Sequence, residues 1–593
     1  MKKRLRPVNL RARLYLVVMM LALASTALVV RAVDLQVVRK DFYQGQGDAR
    51  FLRDIPIPVS RGTIFDRNGE PLAVSTPVEA IWINPKELLQ YRDQIPVLAK
   101  ALDMDADDVV QRIEQRADKE FLYLKRPVDP DFAKDVLALK IPGVASERAF
   151  RRYYPSGEVL GHELGLTNID DRGQEGLELA FDEWLAGKPG VKRVIQDMRK
   201  QVVENVEQLR DEQPGHDLTL SIDRRIQYVA YRELKSAVIA NRAASGSMVI
   251  LDVSNGEILA MVNQPSFNPN SRSSIDPQYR RNRAAINMLE PGSTMKPFTI
   301  AAALESGKWK PNTPVDTTPG TFLVGGHTVR DVHNKGLIDV TRVITYSSNV
   351  GAAKIALTLP NELMYDVFHR FGFGEVTGSG FPGESPGFLP AAKTWGVLEK
   401  ATLAYGYGLN VTPLQLAQAY SALANDGRLR SPTFVKGERN PETQVIDPQL
   451  AATIRGMLET VVSPQGSGLK AAIPNYRVGG KTGTSRRAIA GGYESRYVSL
   501  FAGMVPMSAP RLVGVVVIHD PGGGHGGVYY GGLVSGPVFS KVMAEALRLL
   551  DVPPDNVQHW YTGAPDSGQT IDTSSPAPDY APDQTNYEEG DPQ

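Results

Sequence analysis

The chain has 593 residues, which at about 150 residues per domain predicts roughly four domains, or fewer large ones, with ample length for a large core. Lys and Arg total 66 and Asp and Glu total 66, so the net charge is zero, and a global basic field of the kind that holds nucleic acid is excluded. Charged residues at 22% and hydrophobic residues at 42% exclude a wholly disordered, collagen-like or multi-span chain. The absence of cysteine removes disulfides, thiolate nucleophiles and Cys-ligated metal centres, so a covalent nucleophile has to be an oxygen or an amine.

Lys2, Lys3, Arg4, Arg6, Arg11 and Arg13 precede an uncharged run over residues 14–30, which Ala32 and Val33 extend past a snorkelling Arg31. This pattern predicts a cytoplasmic basic tail (1–13), a transmembrane anchor (14–33) and export of everything after it. A cleaved signal peptide is the alternative, since Ala22-Leu23-Ala24 resembles a cleavage site, but the cut leaves Leu28, Val29 and Val30 apolar and exposed. Within the segment 34–214, residues 51–212 are rich in charge, with a helical pattern over 105–116 in which Ala106, Val109, Val110 and Ile113 recur at helical spacing. At Gln213-Pro214-Gly215 the composition changes, and glycine and apolar strands dominate a second segment, 215–551. Within it, 217–222 alternates as a strand and 224–240 has helical periodicity. Runs 247–253 and 257–263 flank Asn255-Gly256, which predicts a type I′ hairpin. Two more apolar strands, 497–505 and 512–518, precede a helical pattern over 534–550. Helices between early and late strands predict an α+β domain with an antiparallel sheet packed by helices. The last segment, 552–593, belongs to an acidic stretch without Lys or Arg and reads as a disordered tail.

Three short motifs carry chemistry. Ser293-Thr-Met-Lys296 opens a helical run over 297–306, so Ser and Lys share one face at its start. A desolvated neutral lysine there can take the serine proton. The motif alone is weak, and Ser467-Gly-Leu-Lys470 is a second instance, set in a Gly-rich loop without a helix behind it. Ser347-Ser-Asn349 follows at the start of a helical stretch over 350–357, while Ser266-Phe-Asn268 repeats that spacing between prolines. Lys481-Thr-Gly-Thr484 reads as a strand with Gly483 where another group must approach closely. Singly, each has a structural explanation as a helix cap or a strand lysine; in this order they are informative together.

The ordered set S-x-x-K, S-x-N, K-T-G resembles the signature of penicillin-binding proteins and serine β-lactamases. Arg61-Gly-Thr-Ile-Phe-Asp-Arg67, Arg152-Tyr-Tyr-Pro155, Gly161-His-Glu-Leu-Gly165 and Gly173-Gln-Glu-Gly-Leu-Glu178 are similar to the N-terminal module of the class B, single-span members. The region 61–75 and Phe381-Pro-Gly-Glu-Ser-Pro-Gly look more like the cell-division member than the elongation member. The resemblance implies a transpeptidase domain over 215–551, preceded by an elongated partner-binding module over 34–214. It also implies a peptidoglycan D,D-transpeptidase of the septum, in the inner membrane with its catalytic domain in the periplasm. Ser293 is then the nucleophile, Lys296 its base, Ser347 a proton relay assisted by Lys481, and Asn349 an orienting amide. The backbone N–H groups of Ser293 and Thr484 form the oxyanion hole. Lys481, Thr482, Gly483 and Thr484 hold the substrate carboxylate, and Tyr407, with Tyr405, lines the cleft. Implied partners are peptidoglycan stem peptides, β-lactams, the membrane and division proteins including a polytopic glycosyltransferase; no nucleic acid, cofactor or metal is expected. The rival readings are an elongation-type enzyme, an idle scaffold or sensor, and a β-lactamase. For the β-lactamase, no Glu is followed four residues later by Asn between positions 349 and 481.

Overall fold

The computed structural model describes residues 10–42, 52–196, 202–271, 276–489, 492–524 and 528–556. The basic residues Lys2, Lys3, Arg4 and Arg6, the end of the glycine loop at 525–527 and the acidic tail from 557 onward lie outside them. Helix α1 (Leu10–Val33) has 24 residues. At 1.5 Å per residue it is about 36 Å long, enough for a hydrocarbon core of about 30 Å. Among the described residues, Arg11–Val38, which joins α1 to the helical turn Asp34–Val38, is the one helical stretch long and apolar enough to cross a membrane. Arg31 ends the apolar run paired with Asp34 at 2.6 Å.

The chain forms two compact units: residues 1–61, 76–151 and 186–215 make the first, and residues 62–75, 152–185 and 216–593 the second. The segments 62–75 and 152–185, placed by sequence in the N-terminal module, thus pack within the second unit. In the first unit, strands β1 (Leu52–Ile57), β2 (Gly190–Gln196) and β3 (Val202–Arg210) form an antiparallel sheet in the order β1-β2-β3. The predicted helix appears as Ala106–Glu114, its first N–H groups capped by the Asp105 carboxylate. Val109 and Ile113 on its inner face close a core with Ile81, Ile83, Leu98 and Leu124.

The second unit is built on α2 (Arg224–Ala240) and a five-stranded antiparallel sheet of β4 (Ser245–Asp252), β5 (Ile258–Gln264), β8 (Gly479–Ile489), β9 (Gly492–Val505) and β10 (Leu512–His519). Between β5 and β8 the chain makes α3 (Lys296–Glu305), a small hairpin of β6 (Thr321–Val324) and β7 (His327–Arg330), α4 (Asn349–Leu357), α5 (Pro413–Ala424) and α6 (Pro448–Val461); α7 (Gly531–Leu549) follows the sheet. The strand order is β5-β4-β10-β9-β8. Both faces of the sheet are covered, which explains why its strands read as continuous apolar runs. Met248, Ile250, Phe501, Val516 and Ile518 face α2 and α7, whereas Val249, Leu251, Leu500, Ala502 and Val517 face the core holding α3, α5 and α6. Fold class and the elements at 224–240, 497–505, 512–518 and 534–550 agree with the sequence pattern.

The turn between β4 and β5 differs from expectation. Gly256 has φ +79°, but Asn255 is not among the residues with positive φ, so the turn is not type I′. The Asp252 carboxylate accepts from the Ser254 N–H at 2.9 Å and from its hydroxyl at 2.6 Å, capturing the first bend and leaving only glycine in the left-handed region. Three motifs of the 34–214 segment converge: Arg152 donates to Glu178 Oε1 at 2.6 Å and to the carbonyl of Gly62 at 2.7 Å, all fully interior to the second unit.

Phe539 of α7 packs on Phe501 with ring centroids 4.8 Å apart, above Gly503 and Gly514, where an added Cβ would meet its ring at 3.1 and 3.0 Å. Truncating this ring, Phe539→Ala, opens a cavity costing about 3–5 kcal/mol. Urea unfolding followed by fluorescence is expected to show a lower midpoint, and an unchanged midpoint would contradict this packing.

Candidate active site

Ser293 lies in a single 3₁₀ turn, Gly292–Met295, that leads directly into α3, where Pro297 occupies an early position whose N–H the helix does not need. Gly292 starts the turn with φ +54°. The helix behind it is buried on all sides: Phe298 packs against Phe371, Phe373 and Tyr420 at 4.9, 5.0 and 5.5 Å. The Tyr420 hydroxyl donates to the Thr294 carbonyl at 2.9 Å and fixes the turn from below. From the other side Gly406, with φ +88°, comes so close that a Cβ there would sit 2.0 Å from the Gly292 carbonyl oxygen. Only glycine fits that position.

The three motifs meet around one buried amine. Lys296 is fully interior. Its Nζ lies 3.0 Å from Ser293 Oγ, 2.5 Å from the Ser347 carbonyl, 3.2 Å from Ser347 Oγ and 2.7 Å from Asn349 Oδ1. Ser347 adopts φ +61°, turning both its carbonyl and its hydroxyl toward the lysine, and Ser348 rather than Ser347 caps α4. Lys481, from β8, is also fully interior and places its Nζ 2.9 Å from Ser347 Oγ. Ser347 Oγ therefore bridges two lysine amines. Burial pulls Lys296 down to about 7, although the Asp331 carboxylate acts in the opposite direction. Burial, and then the charge on Lys296, hold Lys481 well below the ordinary lysine range. Two full positive charges side by side are disfavoured here, and a neutral Lys296 can accept the Ser293 proton.

Strand β8 pairs with β9 and forms one end of the sheet. A Cβ at Gly483 would lie 3.0 Å from both the Pro291 carbonyl and the Thr294 methyl, so this glycine lets β8 press on the turn that carries Ser293. Thr484 Oγ1 accepts from the Gly531 N–H at 3.1 Å, leaving its own proton to donate outward. Thr482 Oγ1 lies 2.7 Å from Ser467 Oγ. The second S-x-x-K is thus divided: Ser467 supports the third motif, while Lys470 is exposed in a short turn.

Tyr407 is half-buried, its ring 5.7 Å from Tyr405 and 5.7 Å from Tyr493. Tyr493 and Glu290 escaped the sequence reading. Glu290 Oε1 accepts from the Gly408 N–H at 2.8 Å and the Tyr493 hydroxyl at 3.1 Å, and burial pushes its carboxyl up. Its place immediately before Pro291-Gly292-Ser293 was the available signal; nothing local marked Tyr493, which lies far along the chain.

Replacing Gly406 by alanine would drive its methyl into the Gly292 carbonyl. Gly406→Ala is expected to lower the melting temperature and to slow chemistry at Ser293 by about tenfold or more, since displacement on the order of 1 Å costs that much at a reacting atom. A variant with parental melting temperature and serine reactivity would refute the contact.

Comparison with known proteins agrees with this geometry. The penicillin binding protein transpeptidase domain matches residues 246–544, and the penicillin-binding protein dimerisation domain matches residues 56–220. The chain is 45% identical over 553 residues to a probable peptidoglycan D,D-transpeptidase, PbpC, of Pseudomonas aeruginosa, covering 92% of this chain and 96% of the relative. It is 42% identical over 540 residues to the peptidoglycan D,D-transpeptidase FtsI of Escherichia coli, covering 90% and 91%. The solved transpeptidase domain of Burkholderia pseudomallei penicillin-binding protein 3 matches with TM-score 0.52 and 42% identity, covering 57% of this chain and 97% of that one. With both family domains in order behind an apolar N-terminal helix, and the serine and two lysines gathered at one site, the chain belongs to the class B penicillin-binding proteins, the peptidoglycan D,D-transpeptidases.

Proposed function

We propose that this enzyme cross-links stem peptides through an acyl-enzyme on Ser293, in the septal wall, and that β-lactams inhibit it by acylating the same oxygen. The observation that carries the mechanism is the 3.0 Å contact between Ser293 Oγ and a lysine amine held near neutrality by burial. Lys296 Nζ takes the serine proton as Oγ attacks the carbonyl of the D-Ala-D-Ala amide. The N–H groups of Ser293 and Thr484 receive the developing oxyanion. The proton passes from Lys296 through Ser347 Oγ to the departing D-Ala nitrogen, while Lys481 holds Ser347 by its oxygen. Asn349 keeps the Lys296 amine directed at Ser293. An acceptor amine then attacks the ester, giving up its proton along the reverse path, and the peptide bond forms as Ser293 regains its hydrogen. Lys481 with the Thr482 and Thr484 hydroxyls provides the cation and donors that a terminal carboxylate needs, Gly483 keeps the strand close enough, and Tyr407 forms an aromatic wall.

The likeness of 61–75 and 381–387 to the cell-division class supports the septal role, and α1 supports a single-pass inner-membrane protein with its catalytic domain in the periplasm. Division partners, including a polytopic glycosyltransferase, would meet the anchor and the 34–214 module. Imaging of a fluorescent fusion tests the septal role: enrichment at mid-cell supports it, and lateral-wall localisation assigns the chain to elongation.

A labelled penicillin is expected to attach at Ser293. Ser293→Ala is expected to abolish labelling and Ser467→Ala to retain it; persistent labelling of Ser293→Ala would remove the nucleophile. Supplying donor and acceptor peptides is expected to give a cross-linked dimer, whereas release of D-Ala alone would indicate a carboxypeptidase.

The acylation rate carries a pH signature. Lys296 is protonated below about 7 and neutral above it, so the rate should rise through that pH and fall roughly tenfold per unit below it. Stopped-flow acylation between pH 5 and 8 measures this, and a flat profile would exclude Lys296 as the base.

A further inference from the structure

A second cleft opens in the catalytic unit, away from the Lys296 site. It encloses about 380 Å³, within the usual range of ligand-binding clefts. Its residues all belong to the second unit, and none of the side chains around Lys296 lines it. The register of the sheet gives the separation. Asn263 of β5 pairs with Ser247 of β4, Ser247 with Val517 of β10, Val517 with Leu500 of β9, and Leu500 with Gly483 of β8. Neighbouring strands lie about 4.8 Å apart, so Gly483 is roughly 19 Å across the sheet from Asn263. Asn263 Nδ2 donates to Asn282 Oδ1 at 2.9 Å, and Asn263 Oδ1 accepts from the Ala284 N–H at 2.9 Å, which pins the wall of the cleft at Asn282 to β5. Elsewhere the wall is backbone against backbone. An added Cβ on Gly165, where φ is +74°, would meet the Glu175 carbonyl oxygen at 1.9 Å.

The cleft is positive. Arg280, Arg281 and Arg283 fall within four residues, and the carboxylate that meets them is Glu175, whose Oε1 lies 2.9 Å from Arg280 Nη1. Among the described residues, Arg280 Nε and Arg283 Nη1 are buried without a hydrogen-bond partner, and the exposed Arg281 has no ion pair. Burial, and then the charge of Arg281, hold Arg283 below the ordinary arginine range, which is the effect of crowding cations without compensation. His162 adds no charge at neutral pH: it donates to the Tyr279 carbonyl at 2.7 Å, and burial pulls it down to about 4. Leu179, Pro277 and Ile286 supply apolar surface beside these cations. A guanidinium fork binds a carboxylate through two parallel hydrogen bonds, and apolar walls suit aliphatic side chains rather than a bare inorganic ion. We infer that this cleft binds an acidic peptide: Arg280 and Arg281 take its carboxylates, Leu179 and Ile286 its aliphatic side chains, and Glu175 is the internal counter-ion that an incoming carboxylate displaces. A stem peptide of the wall has this chemistry, and in naming it as the natural ligand the inference rests on the proposed function.

The test uses the full-length protein in detergent, first acylated with penicillin so that the Ser293 cleft is filled. Isothermal titration then measures three probes: a tripeptide with two carboxylates, the same tripeptide with both carboxylates amidated, and inorganic phosphate. The dicarboxylate is expected to bind, and the diamide to bind about tenfold or more weakly. Arg280→Gln and Arg281→Gln are each expected to weaken the dicarboxylate by about tenfold. Glu175→Gln removes the competing carboxylate and is expected to tighten it by about fivefold, a change that a merely structural role could not produce. Leu179→Ser is expected to weaken the tripeptide and leave phosphate unchanged. Equal binding of dicarboxylate and diamide, or an Arg281→Gln affinity within about twofold of the parent's, overturns the site. Phosphate binding as tightly as the tripeptide overturns its assignment to a peptide, and an unchanged affinity in Glu175→Gln overturns the displacement. If Glu175→Gln or Arg280→Gln fails to fold, the exposed Arg281 still decides. Failure of penicillin to acylate Ser293 would count against the proposed function alone, since Arg281→Gln can be read on the unacylated protein.

Discussion

One buried amine organises the catalytic unit. Removing Lys296 from water disfavours its charge, and the protein compensates with a set of oxygens: Ser293 Oγ, the Ser347 carbonyl and hydroxyl, and Asn349 Oδ1, all within 3.2 Å of Nζ. Those oxygens come from two places far apart in the chain, so the amine acts as the point at which two helix starts are joined. The surroundings can be read as the means of keeping this arrangement dry and rigid. Helix α3 is enclosed by aromatic rings, the turn carrying Ser293 is fixed by Tyr420 from below and by Gly406 from the side, and Ser347 is held in a left-handed conformation.

Such a site needs a foundation that does not deform, and the five-stranded sheet provides it. Apolar side chains fill both faces, and glycines at 503 and 514 make room for Phe539. The last strand in the order, β8, carries Lys481, Thr482, Gly483 and Thr484. A strand at the end of a sheet has backbone groups without ladder partners on its outer side, which is the property needed to receive an extended peptide. The same strand thus contributes a buried amine on one side chain, hydroxyls on its neighbours and, through Gly483, close packing on the Ser293 turn.

Much of this was legible in the amino-acid sequence because it depends on local rules. The apolar anchor with its basic flank, helix α2, strands β9 and β10 and the opening of α3 follow from periodicity, composition and proline placement. The hairpin at Asn255-Gly256 was predicted with the wrong turn type, because a side chain three positions before Asn255, Asp252, took over the first bend. Asp331 and Glu290 were not picked out. Asp331 is an acid in a loop, and it reaches the start of α4 only because the hairpin of β6 and β7 packs along that helix; Glu290 adjoins the motif, but its partner Tyr493 belongs to a distant strand. The two S-x-x-K pairs show the contrast most directly. Both have the spacing, yet Ser293 lies against Lys296 while Ser467 bonds to Thr482 and Lys470 is exposed.

By itself, then, the sequence confined any covalent nucleophile to an oxygen or an amine, since cysteine is absent, and determined the order of three motifs and the succession of helices and strands, because these are properties of residue type and spacing. Tertiary structure decided which serine meets which lysine, that a second lysine shares the hydroxyl of Ser347, and how far burial lowers both amines. It also decided that a carboxylate from a separate hairpin reaches the start of α4. Each of these depends on distances of about 3 Å between atoms that are remote in the chain, and desolvation is set by everything packed around a group rather than by its neighbours in sequence.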